Sequence, residues 1–226
     1  MKLRSEEIKR KVLHIFSGLL IPAAIFYSSL YLSICLPSHW SFPRYEWIIL
    51  LLGVIAIVQL LIDIIRIKVP AMQTVFYKYF GAFLRSEEKA ELTGSTYIFI
   101  ASFLCAVCFP ADIAAIVICL FILGDGVAAL VGQSIGRIKI GKKSLEGSLS
   151  CFALCLILIY GLFPFTPHLL DKWGGSLSIL SAIIISALIT IFELFPIKIK
   201  SFVINDNLIV PLIAGFAMVL LRRGGI

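Results

Sequence analysis

Apolar runs separated by short polar segments set the pattern of the chain. Seven such runs fall near residues 15–36, 48–65, 93–109, 113–132, 148–163, 176–197 and 203–221. Each is close to, or slightly short of, the roughly 20 residues an α-helix needs to cross a bilayer. The fold class read from them is an all-α integral membrane protein with about seven transmembrane helices, forming a single polytopic domain over residues 1–226. The first run is too long, and too closely followed by others, for a cleaved signal peptide. Between the second and third runs, residues 70–91 interleave aromatics with Lys78 and Arg85. That mixture predicts a helix lying in the plane of the membrane interface.

Composition agrees with the pattern. The 226 residues are 60% hydrophobic and 15% charged, with a mean hydropathy of +1.04; a soluble domain averages about 45–50% apolar and 25% charged residues. Charge then orients the chain. Of its 20 lysines and arginines, 16 fall in alternate segments (the N-terminal tail, 66–92, 133–147 and 198–202) and 4 in the others. The positive-inside rule therefore predicts a cytoplasmic N-terminus and an outside C-terminus. Basic loops beside anionic lipid account for the net charge of +7, and nothing points to a nucleic acid partner. The six cysteines, at 35, 105, 108, 119, 151 and 155, lie in or beside apolar runs and read as buried thiols, with neither a metal cluster nor a disulfide expected.

The polar residues embedded in the runs change the picture more. Asp125 interrupts an apolar run, and an ionisable group there costs up to about 2.5–3.5 kcal/mol on insertion scales if central. At helical spacing it shares a face with Ala128, Ala129, Gly132 and Gly136. A basic, glycine-rich loop with Lys142, Lys143, Ser144 and Glu146 follows. A carboxylate, a ridge of small residues and two ammonium groups suit a magnesium-bound polyphosphate. A helix seam would explain Gly132 and Gly136 but not Asp125. The near-match to a Walker A loop fails, because Lys143 stands where Ser or Thr belongs and no buried strand precedes it.

Other polar groups fall on the same side. Asp63 and Arg66 can pair on one helical face. Thr93-Gly94-Ser95-Thr96-Tyr97 opens the third run with hydroxyls suited to helix capping or to a phosphate-facing helix start. With the predicted orientation, His14, Asp63, Arg66, Thr93, Asp125, Lys142, Lys143, Glu146, Glu193 and Asp206 all lie on the cytoplasmic half. Outside, Asp112, Asp171, His39 and His168 sit in loops among turn residues. A transporter tends to place polar groups near the midplane on broken helices. Polar groups gathered at one face fit an enzyme that joins a soluble anionic cosubstrate to a lipid.

The segment Asp125-x-x-Ala128-x-x-x-Gly132-x-x-x-Gly136, followed by Lys142-Lys143-Ser144-x-Glu146-Gly147, resembles the CTP-binding signature of the polyprenol kinase family. That family includes dolichol, phytol and farnesol kinases and the CTP-dependent diacylglycerol kinases. CDP-diacylglycerol synthases share the signature. Further similarities favour the kinases: Arg10-Lys11-x-x-His14, Thr93-Gly94-x-Thr96-Tyr97, and Glu193-x-x-Pro196 with Asp206-Asn207-Leu208-x-x-Pro211. The synthases' glycine-rich C-terminal motif is absent after Gly147.

The resemblance implies transfer of the γ-phosphoryl group of CTP to the hydroxyl of a membrane lipid alcohol, giving a lipid monophosphate and CDP. It also implies an active site facing the cytoplasm of a bacterial inner membrane or an organellar one. Asp125 and Asp206, with Glu146 as a third candidate, would hold Mg2+. Lys142 and Lys143 would neutralise the triphosphate, and Gly132, Gly136, Ser144, Gly147, Thr93, Thr96 and Asn207 would line the nucleotide. His14 or Asp206 would accept the alcohol proton. Long isoprenoids, shorter prenols and diacylglycerol all suit the apolar spans, with an isoprenoid preferred. A cytidylyltransferase acting at the α-phosphate is the first alternative, and a non-enzymatic transporter or scaffold the second.

Overall fold

The computed structural model describes residues 15–16, 18–28, 46–81, 88, 90–199 and 202–225. Eight helices lie among them: α1 (Gly18–Ser28), then α2 (Glu46–Lys68), α3 (Pro70–Phe80), α4 (Gly94–Cys108), α5 (Ala111–Ser134), α6 (Leu145–Gly161), α7 (Ile179–Leu194) and α8 (Asp206–Arg223). Two short antiparallel ribbons join them, β1 (Lys139–Ile140) with β2 (Lys143–Ser144), and β3 (Lys198–Ile199) with β4 (Phe202–Val203). His14 and His39 lie outside the described residues.

The helices follow the predicted runs, and three (α2, α5 and the segment Leu145–Phe165) are each long and apolar enough to cross a membrane. The helix expected within 70–91 is α3, which buries no residue. Proline at its first turn suits a helix start, where no intrahelical donor is lost.

α5 is the hub. Between Asp112 and Asp125 it is apolar on every face, and such a helix is stable only when enclosed. Ile113–Ile118 and Leu120–Ile122 are buried accordingly, with α4, α6, α7 and α8 packed around them. α2 packs on α4 and turns Leu50, Leu51, Val54, Ile57, Val58 and Leu61 outward. A continuous exposed apolar face of that extent is a surface made for lipid. Five of the cysteines are free thiols, with Cys105, Cys151 and Cys155 buried.

The tightest seam is α5 against α6, and it uses the small residues around Asp125. A Cβ on Gly132 would stand 2.7 Å from Ser144 Oγ, and one on Gly147 would stand 2.5 Å from the Ala128 carbonyl oxygen. The ridge thus receives the first turn of α6, whose N-cap is Ser144, its Oγ accepting from the Gly147 N–H at 3.2 Å. Gly147→Ala forces a methyl against backbone, and a loss of about 1–3 kcal/mol is expected, read as a lower Tm in detergent.

Opposite ends of the bundle are closed by different chemistry. Asp112, expected in a loop, is instead a buried residue of the first turn of α5. It accepts from Arg222 at 2.7 Å, and Arg222 also lies over the Trp173 ring at 5.7 Å. The other end carries the remaining polar groups.

Candidate functional site

At that end, two structural knots hold the frame and one cluster stands between them. The first knot centres on Asp63, near the end of α2. Its Oδ1 takes the Arg66 Nε–H at 2.6 Å, while Oδ2 accepts from Thr93 N at 2.7 Å, Thr93 Oγ1 at 3.0 Å and Thr96 Oγ1 at 2.5 Å. Arg66 donates onward to the carbonyls of Glu88 at 2.8 Å and Glu91 at 2.6 Å. All four side chains are buried. Pairing that sequence alone leaves balanced between structure and function is thus a joint between α2 and the N-terminus of α4. Thr93 and Thr96 spend their hydroxyls there. Asp63→Ala leaves a buried guanidinium without its counter-ion, which costs about 3–5 kcal/mol; thermal unfolding in detergent reads it directly.

The second knot is the β1–β2 hairpin. Gly141 sits at φ +62° in the two-residue turn Gly141–Lys142, the left-handed conformation a type II′ hairpin needs at its first central residue. This turn puts Lys142 at the exposed tip, while Lys143, on the following strand, is half-buried towards the bundle. Glu146 pins the strand's approach, Oε1 accepting from the backbone N–H groups of Arg137 at 2.9 Å and Ile138 at 3.1 Å.

Lys143 then reaches the ends of α7 and α8. Its Nζ lies 2.7 Å from Glu193 Oε1 and 2.8 Å from Asp206 Oδ2, and it also donates to the Glu193 carbonyl. Burial lowers its pKa, but the charges of Asp206 and Glu193 outweigh burial and hold it above the ordinary lysine value. The ammonium therefore persists through neutral pH. Its contribution to stability is complete below the unfolded lysine value and is lost only as alkaline pH rises through the raised one. Asp125 of α5 and Asp206 both lie within electrostatic reach of Glu193. Glu193 is buried, and its Oε2 has no hydrogen-bond partner among the described residues.

Two helix starts meet beside this cluster. Asn205 caps α8, its Oδ1 accepting from Asn207 N at 3.0 Å, and Asn207 Nδ2 donates to the Gly94 carbonyl of α4 at 3.3 Å. α4 and α8 thereby present their N-terminal ends side by side, the ends that favour anions.

Of the sequence-predicted residues, Lys143 and Asp206 come together, with Asn207 and Gly94 alongside and Asp125 within electrostatic reach of Glu193. Lys142 stands at the hairpin tip; Gly132, Gly136, Ser144 and Gly147 form the α5–α6 seam; Glu146 is engaged by backbone; Thr93 and Thr96 are engaged by Asp63. Glu193 is the member that sequence reasoning left out of the site. Its signal was an acid at the end of an otherwise apolar helix, just before Pro196. Among the described residues, no three of His, Cys, Asp and Glu stand close enough to form a complete metal cage.

Comparison with known proteins adds relatives. The chain is 30% identical over 216 residues to the uncharacterized protein RP860 of Rickettsia prowazekii, covering 91% of this chain and 90% of that one. It is 32% identical over 111 residues to CTP-dependent diacylglycerol kinase 1 of Schizosaccharomyces pombe, covering 46% of this chain and 51% of the kinase. It is 28% identical over 170 residues to the protein of the same name from Eremothecium gossypii, covering 70% of this chain and 54% of the kinase. The chain thus spans about half the length of these two kinases. No family model and no solved structure matches it.

Proposed function

The chain belongs to the CTP-dependent lipid kinase family, and on that premise we propose that it transfers the γ-phosphoryl group of CTP to the hydroxyl of a membrane lipid alcohol. The products are a lipid monophosphate and CDP. The observation that carries this reading is Lys143, a persistent cation held between Glu193 and Asp206 with Asp125 close by.

Phosphoryl transfer needs little covalent help from a protein; positioning and charge stabilisation dominate. Lys143 is suited to both. Its ammonium is already held in place, and it would bind a phosphate oxygen by exchanging one of its three present acceptors, Glu193 Oε1, the Glu193 carbonyl and Asp206 Oδ2. Lys142, at the exposed hairpin tip, meets the outer part of the triphosphate. The adjoining N-terminal ends of α4 and α8 add the positive ends of two helix dipoles, with the Gly94 N–H now held by Glu88 Oε1 and the Asn207 N–H by Asn205 and Asp206. Thr93 and Thr96 hold α4 in place through Asp63, and Ser144, Gly132, Gly136 and Gly147 fix the hairpin against α5.

Asp125 would hold magnesium, joined by Asp206 once it exchanges its contact with Lys143 or with Asn207 N–H, and the ion would supply charge neutralisation on the phosphate oxygens. The residues fit that ion. Magnesium keeps several waters and takes one or two carboxylates plus substrate phosphates, so a partial donor set is what a nucleotide site requires. Glu193 Oε2, buried without a partner among the described residues, leaves negative charge nearby for the ion to balance without serving as a third ligand. Glu146 does not fit, because its carboxylate is committed to the backbone of 137–138. As the alcohol oxygen bonds to phosphorus, its proton passes to Asp206, His14 or Glu193. Glu193 has the clearest capacity: both acids hold Lys143 through one oxygen, but Asp206 Oδ1 also accepts from Asn207 N–H, whereas Glu193 Oε2 has no partner among the described residues.

The membrane reading completes the proposal. With the Lys143 end at the cytoplasmic face, the soluble nucleotide arrives from water and the lipid hydroxyl from the bilayer. Diacylglycerol is the acceptor to test first, since it is named in two of the relatives above, with a long-chain prenol second.

The deciding experiment supplies purified protein with either alcohol and with CTP labelled at the α or the γ phosphate. Label from γ in the lipid is expected. Label from α would establish a cytidylyltransferase, and an unlabelled lipid would leave a non-enzymatic role.

A further inference from the structure

α7 carries a line of polar groups that neither knot uses. Ser186 Oγ, Thr190 Oγ1 and Glu193 Oε2 are all buried, and none has a hydrogen-bond partner among the described residues. Their spacing of four and then three residues places them on one face of the helix. At 1.5 Å per residue the line is about 10 Å long. It descends from the Lys143 cluster into the apolar part of the bundle. A buried hydroxyl without a partner costs about 1–3 kcal/mol. Two of them in succession, leading to an unpartnered carboxylate oxygen, call for a polar ligand from outside the chain.

The line is buried but lies near the surface of α7: Ile183, at its edge, is 44% exposed, and Ile191, on the adjoining face next to Thr190, is 50% exposed. A lipid head would reach Thr190 from the hydrocarbon side by displacing these edge side chains.

The ligand's chemistry follows from that of the line. Two hydroxyl donors require acceptors, and the carboxylate oxygen at the end requires a donor. A lipid alcohol esterified next to its free hydroxyl offers this order, with carbonyl oxygens a few ångströms from an O–H. A prenol has the O–H alone. Resting on the lipid-alcohol reading above, we propose that the Ser186–Thr190–Glu193 line of α7 is the acceptor subsite, and that it selects alcohols bearing ester carbonyls. Thr190 and Ser186 donate to those carbonyls, and Glu193 Oε2 receives the hydrogen bond of the hydroxyl to be phosphorylated.

The test compares diacylglycerol with its dialkyl ether analogue, which has the same shape and hydroxyl but no carbonyls. Native mass spectrometry of protein released from detergent reads retention of each lipid without requiring CTP. Wild-type protein is expected to retain the diester about tenfold over the diether, as two modest hydrogen bonds provide. Thr190→Val, alone and with Ser186→Ala, is expected to erase that preference. Both changes remove hydroxyls that satisfy nothing within the described residues, so Tm should stay level or rise, which separates a binding role from a structural one. Equal retention of the two lipids by wild type, retention of neither, or a preference that survives in the variants would each overturn the subsite. Diester preference without transfer from CTP would leave the subsite standing and remove only the kinase reading.

Discussion

Lys143→Met is expected to lower kcat by about 10²–10³-fold, the usual effect of deleting one charged donor from a site that stabilises developing negative charge. It also leaves Glu193 and Asp206 facing each other without their shared cation. Breaking a buried pair in this way costs about 3–5 kcal/mol, and partial exposure of Asp206 puts the expected loss near the lower end. The two effects separate experimentally. Lys143→Arg keeps the charge and should recover most of the stability, while its planar fork cannot reproduce one ammonium shared by two carboxylates and a carbonyl. Rates normalised to folded protein, measured beside Tm, are therefore expected to show stability rescued and kcat still depressed. Full recovery of both would reduce Lys143 to a structural tie.

Asp125→Asn should act oppositely on stability and equally on rate. The substitution is isosteric and removes one negative charge from the neighbourhood of Glu193, so Tm is expected to hold or rise slightly. Transfer is expected to fall by 10²-fold or more, because a neutral amide oxygen is a weaker ligand for magnesium than a carboxylate and brings no charge to balance a metal–nucleotide complex. A variant that folds normally and still phosphorylates lipid would remove Asp125 from the site.

How much of this was legible from sequence differs between elements. The helices were, because a 3.6-residue helix long enough to satisfy its own backbone is the economical way for an apolar run to exist in lipid. The end of the bundle where Lys143 meets Asp206 and Glu193 was legible too, since charged groups at the ends of apolar runs are too costly to be there by chance. The division of labour among them was not. Gly132 and Gly136 looked equally suited to a phosphate and to a helix, and only the position of Ser144 and Gly147 assigns them to the α5–α6 seam. Lys142 and Lys143 looked equivalent as neighbours, until the turn at Gly141 set one at the tip and the other inward. Glu146 and Thr93 matched a nucleotide signature, yet their side chains hold backbone and Asp63 respectively. Glu193 was underweighted because a carboxylate at a helix end has an easy explanation as an interface residue; its burial beside Lys143 removes that explanation. Asp112 shows the converse, since its partner Arg222 is 110 residues distant and no local pattern predicts the pair.

The most direct test of the central claim is calorimetric titration of CTP into wild-type protein and Asp206→Asn in detergent, each with and without Mg2+. Binding that requires Mg2+ in wild type and weakens at least tenfold in Asp206→Asn is the predicted result. Equal affinity in the two proteins, or binding indifferent to the metal, would contradict a nucleotide site built on Asp125, Lys143 and Asp206.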